Sequence, residues 1–211
     1  MSAKPQVTRI GCIVLAAGRS RRYGRTRINK LLLKLGKRSL VQRVLDRALA
    51  SQARPVVVVT GYQRPRIEQA LAATRRRRWH YAFNPRHRHG MASSLQAGLK
   101  ALPDDVDGAI VCLGDMPGIS ARTIDALIAA FTAGDDAVVP RVGDRRGNPV
   151  LLGRALFARI GGLSGDEGAR RLLRASNKIR SIAADSESLR DIDTRRDWRR
   201  YRSQFRHFRG R

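Results

Sequence analysis

The sequence predicts an α/β fold, a three-layer sandwich around a mostly parallel sheet. Three observations predict it. Short apolar runs alternate with segments of helical spacing along most of the chain. The runs are continuous rather than alternating, as in strands buried on both faces. The polar, glycine-bearing motifs follow the runs directly, at the strand ends where open α/β sheets bind ligands.

The elements fall in order. Residues 10–17 form the first strand, and 40–51 a helix with apolar positions at Leu40, Val41, Val44, Leu45 and Ala48. Residues 55–60 form a second strand closed by Gly61, 67–73 a short helix and 79–83 a third strand. Helices over 93–102 and 121–131 flank a strand at 109–113, and a further strand follows at 136–140. Residues 169–175 read as a capped helix. This alternation implies βαβ units with right-handed crossovers. The division expected is a domain over 1–197 and a basic aromatic extension over 198–211. In that extension Trp198, Tyr201, Phe205 and Phe208 recur at helical spacing. The stripe either packs on the domain or forms a basic amphipathic helix for a membrane surface or RNA.

At 211 residues and 42% hydrophobic, the chain can fill one core. No apolar run approaches the roughly 20 residues of a membrane span. Lys4 and Arg9 ahead of an apolar stretch have the outline of a short leader, but that stretch reads as the first strand. Cys12 and Cys112 lie in apolar runs, as reduced buried thiols of a cytoplasmic protein would. The net charge of +26 is extreme. Arginine clusters at 75–78 and 195–211 raise a nucleic-acid or other polyanion partner as one reading and a solvated surface as the other.

The chemistry begins at Val14-Leu15-Ala16-Ala17-Gly18-Arg19-Ser20-Arg21-Arg22-Tyr23-Gly24, followed by Asn29-Lys30-Leu31-Leu32. A glycine-bearing loop after a buried strand leaves backbone N–H groups to face an anion. Five arginines between 19 and 27, with Lys30, surround it with positive charge suited to a triphosphate. It is not a Walker A loop, because Arg25-Thr26 follow Gly24, and no G-x-G-x-x-G occurs. Asp115, in Leu113-Gly114-Asp115-Met116-Pro117, sits at a strand end as either a Mg²⁺ ligand or a turn former. Gly90-Met91-Ala92-Ser93-Ser94 opens a helix, with Ser93 a ligand contact or an N-cap. His87 and His89 lack further ligands at fixed spacing and read as loop histidines.

The pattern L-A-A-G-x-S-x-R-x-G…N-K-L-L resembles the signature loop of the MobA-like nucleotidyltransferases, in particular the molybdenum-cofactor cytidylyltransferase branch. Asp191-Ile192-Asp193-Thr194, Arg146-Gly147-Asn148-Pro149-Val150-Leu151 and Gly165-Asp166-Glu167-Gly168-Ala169-Arg170 extend the resemblance in order along the chain. It implies a Rossmann-like fold of the nucleotide-diphospho-sugar transferase type. Nucleotide contacts are implied at Leu15, Ala16, Ala17, Gly18, Arg19, Lys30, Gly90, Ser93 and Ser94. The resemblance further implies catalytic roles for Arg22, Lys30 and Asp115, Mg²⁺ ligation by Asp115 and Asp193, and acceptor contacts at Asn148 and Asp166. CTP is the implied donor and a molybdopterin-type cofactor the acceptor, with a molybdoenzyme or its maturation chaperone as protein partner. The chain is expected to act as a monomer. Arg195-Arg196 replace the usual Pro-Glu of the last motif, and Asn148 stands where His is common. Asp193 or Thr194 also suits a helix N-cap. The alternatives are a guanylyl or sugar-phosphate transferase of the same fold, and a polyanion-binding protein that does not use Asp115.

Overall fold

The computed structural model describes residues 8–23, 28–74, 78–166, 169–186 and 190–208. The expectations placed on Gly24, Arg25, Arg27, Arg75 to Arg77, Glu167 and Gly168 lie outside those residues. Strand β1 (Ile10–Ala16) runs through the centre of the sheet. After it come the two-residue strands β2 (Lys34–Leu35) and β3 (Arg38–Ser39), paired as a separate hairpin. Helix α1 (Leu40–Ala50) leads to β4 (Val56–Thr60), and α2 (Arg64–Leu71) to β5 (Trp79–Phe83). Helix α3 (Met91–Lys100) precedes β6 (Gly108–Leu113), and α4 (Ala121–Ala130) precedes β7 (Ala137–Val142). The chain then forms β8 (Arg145–Arg146), β9 (Val150–Gly153), α5 (Phe157–Gly161), α6 (Arg170–Arg174), β10 (Ile179–Ala183) and α7 (Arg195–Phe208).

The strand order is β10-β7-β9-β6-β1-β4-β5, with β8 beside β7. The β1 pairings with β4 and β6, and the β4–β5 and β7–β10 pairings, are all parallel. β9 runs antiparallel to both β6 and β7. The sequence pattern did not predict β9, because its four residues were read as part of a motif. Its direction follows from the short return after β7, which leaves no room for a crossover.

Two cores lie on opposite faces of the sheet, giving the three layers. One packs α1, α2 and α4, through Val41, Val44, Leu45, Ile67, Leu71, Ile124 and Leu127, onto Cys12, Val14, Val56, Val58, Ile110 and Cys112. The other sets Leu95, Ile160, Leu172 and Leu173 from α3, α5 and α6 against Ile13, Val57, Val59, Ala109 and Val111. A one-residue shift in strand register would turn each set to the wrong face, so both faces fix the register. Helix α1 starts with a capping box between Ser39 and Gln42, and the Ser120 side chain accepts from Thr123 N–H at the head of α4. Among the described residues no helix is long and apolar enough to cross a membrane.

The α3 junction depends on one glycine. Gly90 has φ +93°, and a Cβ there would lie 2.3 Å from the Gly165 carbonyl. Gly90→Ala therefore meets both strain and collision. We expect it to destabilise the fold by about 3 kcal/mol, read as a lower midpoint in denaturant unfolding.

Candidate active site

Three loops meet at the carboxyl ends of β1, β5 and β6, joined by the segment that follows β10. The first loop turns at Ser20, whose φ of +53° swings the chain into a short 3₁₀ turn, Arg21–Tyr23. The Ser20 hydroxyl accepts from Lys30 N–H at 3.2 Å and donates to Asn29 Oδ1. Asn29 Oδ1 also accepts from Leu31 N–H at 3.1 Å, capping the 3₁₀ turn Lys30–Leu32. Ser20 and Asn29 thus fix the backbone that carries Lys30.

The Lys30 side chain is largely buried and ends between two carboxylates. Its Nζ lies 2.6 Å from Asp115 Oδ2 and 2.6 Å from Asp193 Oδ1. Burial pulls the Lys30 pKa down, but Asp115 and Asp193 outweigh burial and hold it above its ordinary value. Lys30 is therefore charged throughout the neutral range. Arg22, well exposed, pairs with the other Asp193 oxygen.

Asp115 is placed by its own loop. Gly114 N–H donates to the Leu15 carbonyl, tying the end of β6 to β1, and Met116 N–H closes a turn onto Leu113. The Asp115 carbonyl accepts from Ile192 N–H at 3.1 Å, which brings Asp193 alongside. Asp115 Oδ1 is buried and has no hydrogen-bond partner. Asp191 sits close by: burial first, then Asp193 and Asp115, raises its carboxyl above the ordinary value.

The opposite wall comes from the β5–α3 loop. Asn84, buried at the end of β5, donates through Nδ2 to Ser93 Oγ and Ser94 Oγ, and accepts from Arg86 N–H. The Ser93 hydroxyl donates to the carbonyls of Arg86 and Gly90. Met91 N–H donates to Asp166 Oδ1, and Ala92 N–H to the Gly165 carbonyl, so the Gly165–Asp166 loop closes the helix start.

These walls enclose an open cavity of about 280 Å³. Of the residues named from sequence, Leu15, Ala17, Gly18, Arg19, Arg22, Lys30, Gly90, Ser94, Asp115, Asp166 and Asp193 line it. Three do not. Ala16 is buried in the core, the Ser93 hydroxyl is taken up inside the wall, and Asn148 lies on the β8–β9 connection, at the carboxyl end of β6 but not among the lining residues. His87, Arg88 and Met91 also line it. Burial first, then Arg88 and Arg19, lowers the His87 pKa, so that ring is neutral at pH 7. Asn84 went unrecognised in the sequence; its only signal was a polar residue straight after a strand and before a proline.

Residues 12–180 match the MobA-like NTP transferase domain. The chain belongs to that family. It is 32% identical over 190 residues to the purine catabolism protein PucB of Bacillus subtilis, spanning 86% of this chain and 90% of that one. The crystal structure of an Rv0371c homologue from Mycobacterium sp. strain JC1 superposes with a TM-score of 0.80 at 27% identity, covering 94% of this chain and 98% of the other. Rv0371c of Mycobacterium tuberculosis H37Rv, solved in complex with manganese, matches at 25% identity with a TM-score of 0.77, over 94% of this chain and 100% of that one. Nucleotidyl transfer is the activity this membership carries.

The donor set of this nucleotidyltransferase fits a divalent cation. Two carboxylates face one another across Lys30, and one Asp115 oxygen lacks any donor. Among the described residues no group of three or more Asp, Glu, His or Cys is placed around a common point. Asp115 and Asp193 would thus be the protein ligands, with water and phosphate oxygens supplying the rest, the usual pattern for Mg²⁺.

Gly18 presents a different case from Gly90. A Cβ on Gly18 meets nothing within 4 Å and its φ is not positive. The fold alone does not require this glycine, which lines the cavity. Gly18→Ala is expected to leave the melting temperature unchanged or slightly higher while weakening nucleoside triphosphate binding about tenfold, as titration calorimetry would read.

Proposed function

We propose that this enzyme transfers CMP from CTP to the phosphate of a molybdopterin-type acceptor, releasing pyrophosphate, with Mg²⁺ held by Asp115 and Asp193. The observation that carries the metal-dependent reading is the cavity end where Asp115, with an unpartnered buried oxygen, faces Asp193. The choice of CTP and of the acceptor rests on the resemblance of the Ala16-Ala17-Gly18 loop to the cytidylyl branch.

An acceptor phosphate oxygen attacks the α-phosphorus, and the bond from that phosphorus to the bridging oxygen breaks as pyrophosphate leaves. Such transfers need positioning and charge neutralisation more than covalent chemistry. A bound Mg²⁺ supplies the charge that screens the triphosphate oxygens from the two carboxylates. In this reading Lys30 and Arg22 neutralise charge on the α-phosphate and the departing pyrophosphate. Gly18 leaves the backbone room to approach the phosphates. Ser94 and Gly90 line the wall toward the nucleoside, and Asp166 faces the acceptor side. Asn148, outside the cavity, is left without a direct acceptor contact in this reading.

The test is thermal stabilisation by CTP, GTP, ATP and UTP, with and without Mg²⁺. A Mg²⁺-dependent shift for CTP alone supports the reading and leads to a pyrophosphate-release assay with molybdopterin. A shift for GTP alone moves the enzyme to the guanylyl branch. Equal shifts for all four that vanish in salt would mean that the arginines bind any polyanion.

A further inference from the structure

Helix α7 starts just after Asp193, whose two carboxylate oxygens pair with Lys30 and Arg22. Thr194 N–H donates to Asp197 Oδ2 and Asp197 N–H donates back to Thr194 Oγ1, a reciprocal cap that begins the helix one residue after Asp193. One turn on, Trp198 and Tyr201 pack against a small buried cluster of Tyr23, Leu40 and Ile192. Tyr23 closes the turn that carries Arg22, and Ile192 directly precedes Asp193. Arg190 donates to Gln204 on the same helix, so the segment before Asp193 is also tied to α7. Tyr23 and Ile192 are themselves buried, and Leu40 is fully so. This cluster is separate from both main cores.

We propose that Trp198 and Tyr201 are positioning residues: by docking α7 on Tyr23 and Ile192 they set Asp193 and Arg22 at the spacing the metal and triphosphate require. The inference rests on Asp193 being a metal ligand. Short chain lengths make the coupling stiff. Asp193 is one residue from a fully buried anchor on one side and one residue from the helix cap on the other. Arg22 is one residue from Tyr23. An undocked helix frees both ends of the Asp193–Arg22 pair, whereas Lys30 and Asp115 stay fixed by β1, β6 and the Ser20–Asn29 contacts. Deletion of 198–211 would remove both docking residues.

The experiment measures Mn²⁺ binding by electron paramagnetic resonance of the free ion, with whichever of the four triphosphates shifts melting most. Steady-state pyrophosphate release against Mn²⁺ concentration is measured in parallel. Trp198→Ala is expected to weaken Mn²⁺ binding about tenfold and raise its half-saturating concentration to match, with kcat at saturating Mn²⁺ within threefold of wild type. Trp198→Phe, which keeps a ring in the cluster, is expected to restore both. If circular dichroism shows Trp198→Ala to be unfolded, Trp198→Leu takes its place with the same expected weakening. Unchanged Mn²⁺ affinity in the folded variant, or a fall in kcat alone, overturns the positioning role. Asp193→Asn separates the two readings. If it too leaves Mn²⁺ binding unchanged, the metal assignment itself fails. If it weakens binding while the Trp198 variants do not, only the inference from α7 fails.

Discussion

Asp115→Asn is expected to lower kcat/KM for pyrophosphate release about 1000-fold, with the melting temperature within a few degrees of wild type. The amide keeps the shape of the side chain but cannot balance a divalent cation. A loss of that size corresponds to about 4 kcal/mol of transition-state stabilisation, the range found for removing one preorganised electrostatic partner. The loop is held through the backbone of Gly114, Asp115 and Met116, and Lys30 keeps its pair with Asp193, so the fold survives the loss of this charge. Activity retained at saturating Mg²⁺ or Mn²⁺ would remove Asp115 from the metal site.

Lys30→Met should act on stability as well as on turnover. In the wild type the ammonium joins two carboxylates whose side chains are each 19% exposed. Without it they face one another, with Arg22 left paired to Asp193. Breaking a buried ion pair costs about 3–5 kcal/mol, and partial solvent access here reduces that to about 2 kcal/mol. Because the folded pKa of Lys30 is raised, its stabilising contribution is complete below the unfolded pKa near 10.5 and fades only as pH climbs through the higher folded value. The deficit of the variant is therefore present at pH 7. Mn²⁺ should raise the melting temperature of the variant more than that of wild type, since the ion meets no competing ammonium. Equal Mn²⁺ shifts in both proteins would show that Lys30 and the metal do not compete for the carboxylates.

The parts of the fold legible in the sequence were those with strong apolar patterning. The run Pro55-Val56-Val57-Val58-Val59-Thr60 has no reading but a buried strand, and 79–83 coincides with β5 to the residue. Helix ends were less legible. The second helix begins at Arg64 rather than at 67, because Pro65 is well accommodated in a first turn that carries no apolar residue. β9 and β10 are four and five residues long and sit next to glycine and arginine motifs, so local pattern could not separate strand from loop.

The site was legible as a set of motifs and not as a geometry. Sequence order could place Lys30, Asp115 and Asp193 on one list, but not the ammonium between the two carboxylates. Ser93 and Ser94 are neighbours of like chemistry. Asn84 donates to both; the carbonyls of Arg86 and Gly90, which take the Ser93 hydroxyl, decide that Ser93 serves the wall while Ser94 remains at the cavity. Asn148 carried a motif resemblance with no spatial information, and the β8–β9 connection leaves it off the cavity lining.

The course of the last segment separates completion of the sheet from completion of the proposed site. Strands β1 and β6, which supply Lys30's loop and Asp115, are adjacent at the middle of the sheet, whereas β10 lies at its edge. From that edge the chain returns to the centre, where Ile192 N–H meets the Asp115 carbonyl and Asp193 meets Lys30. In the proposed reading, a detached last segment would leave the sheet intact and the metal pair one carboxylate short.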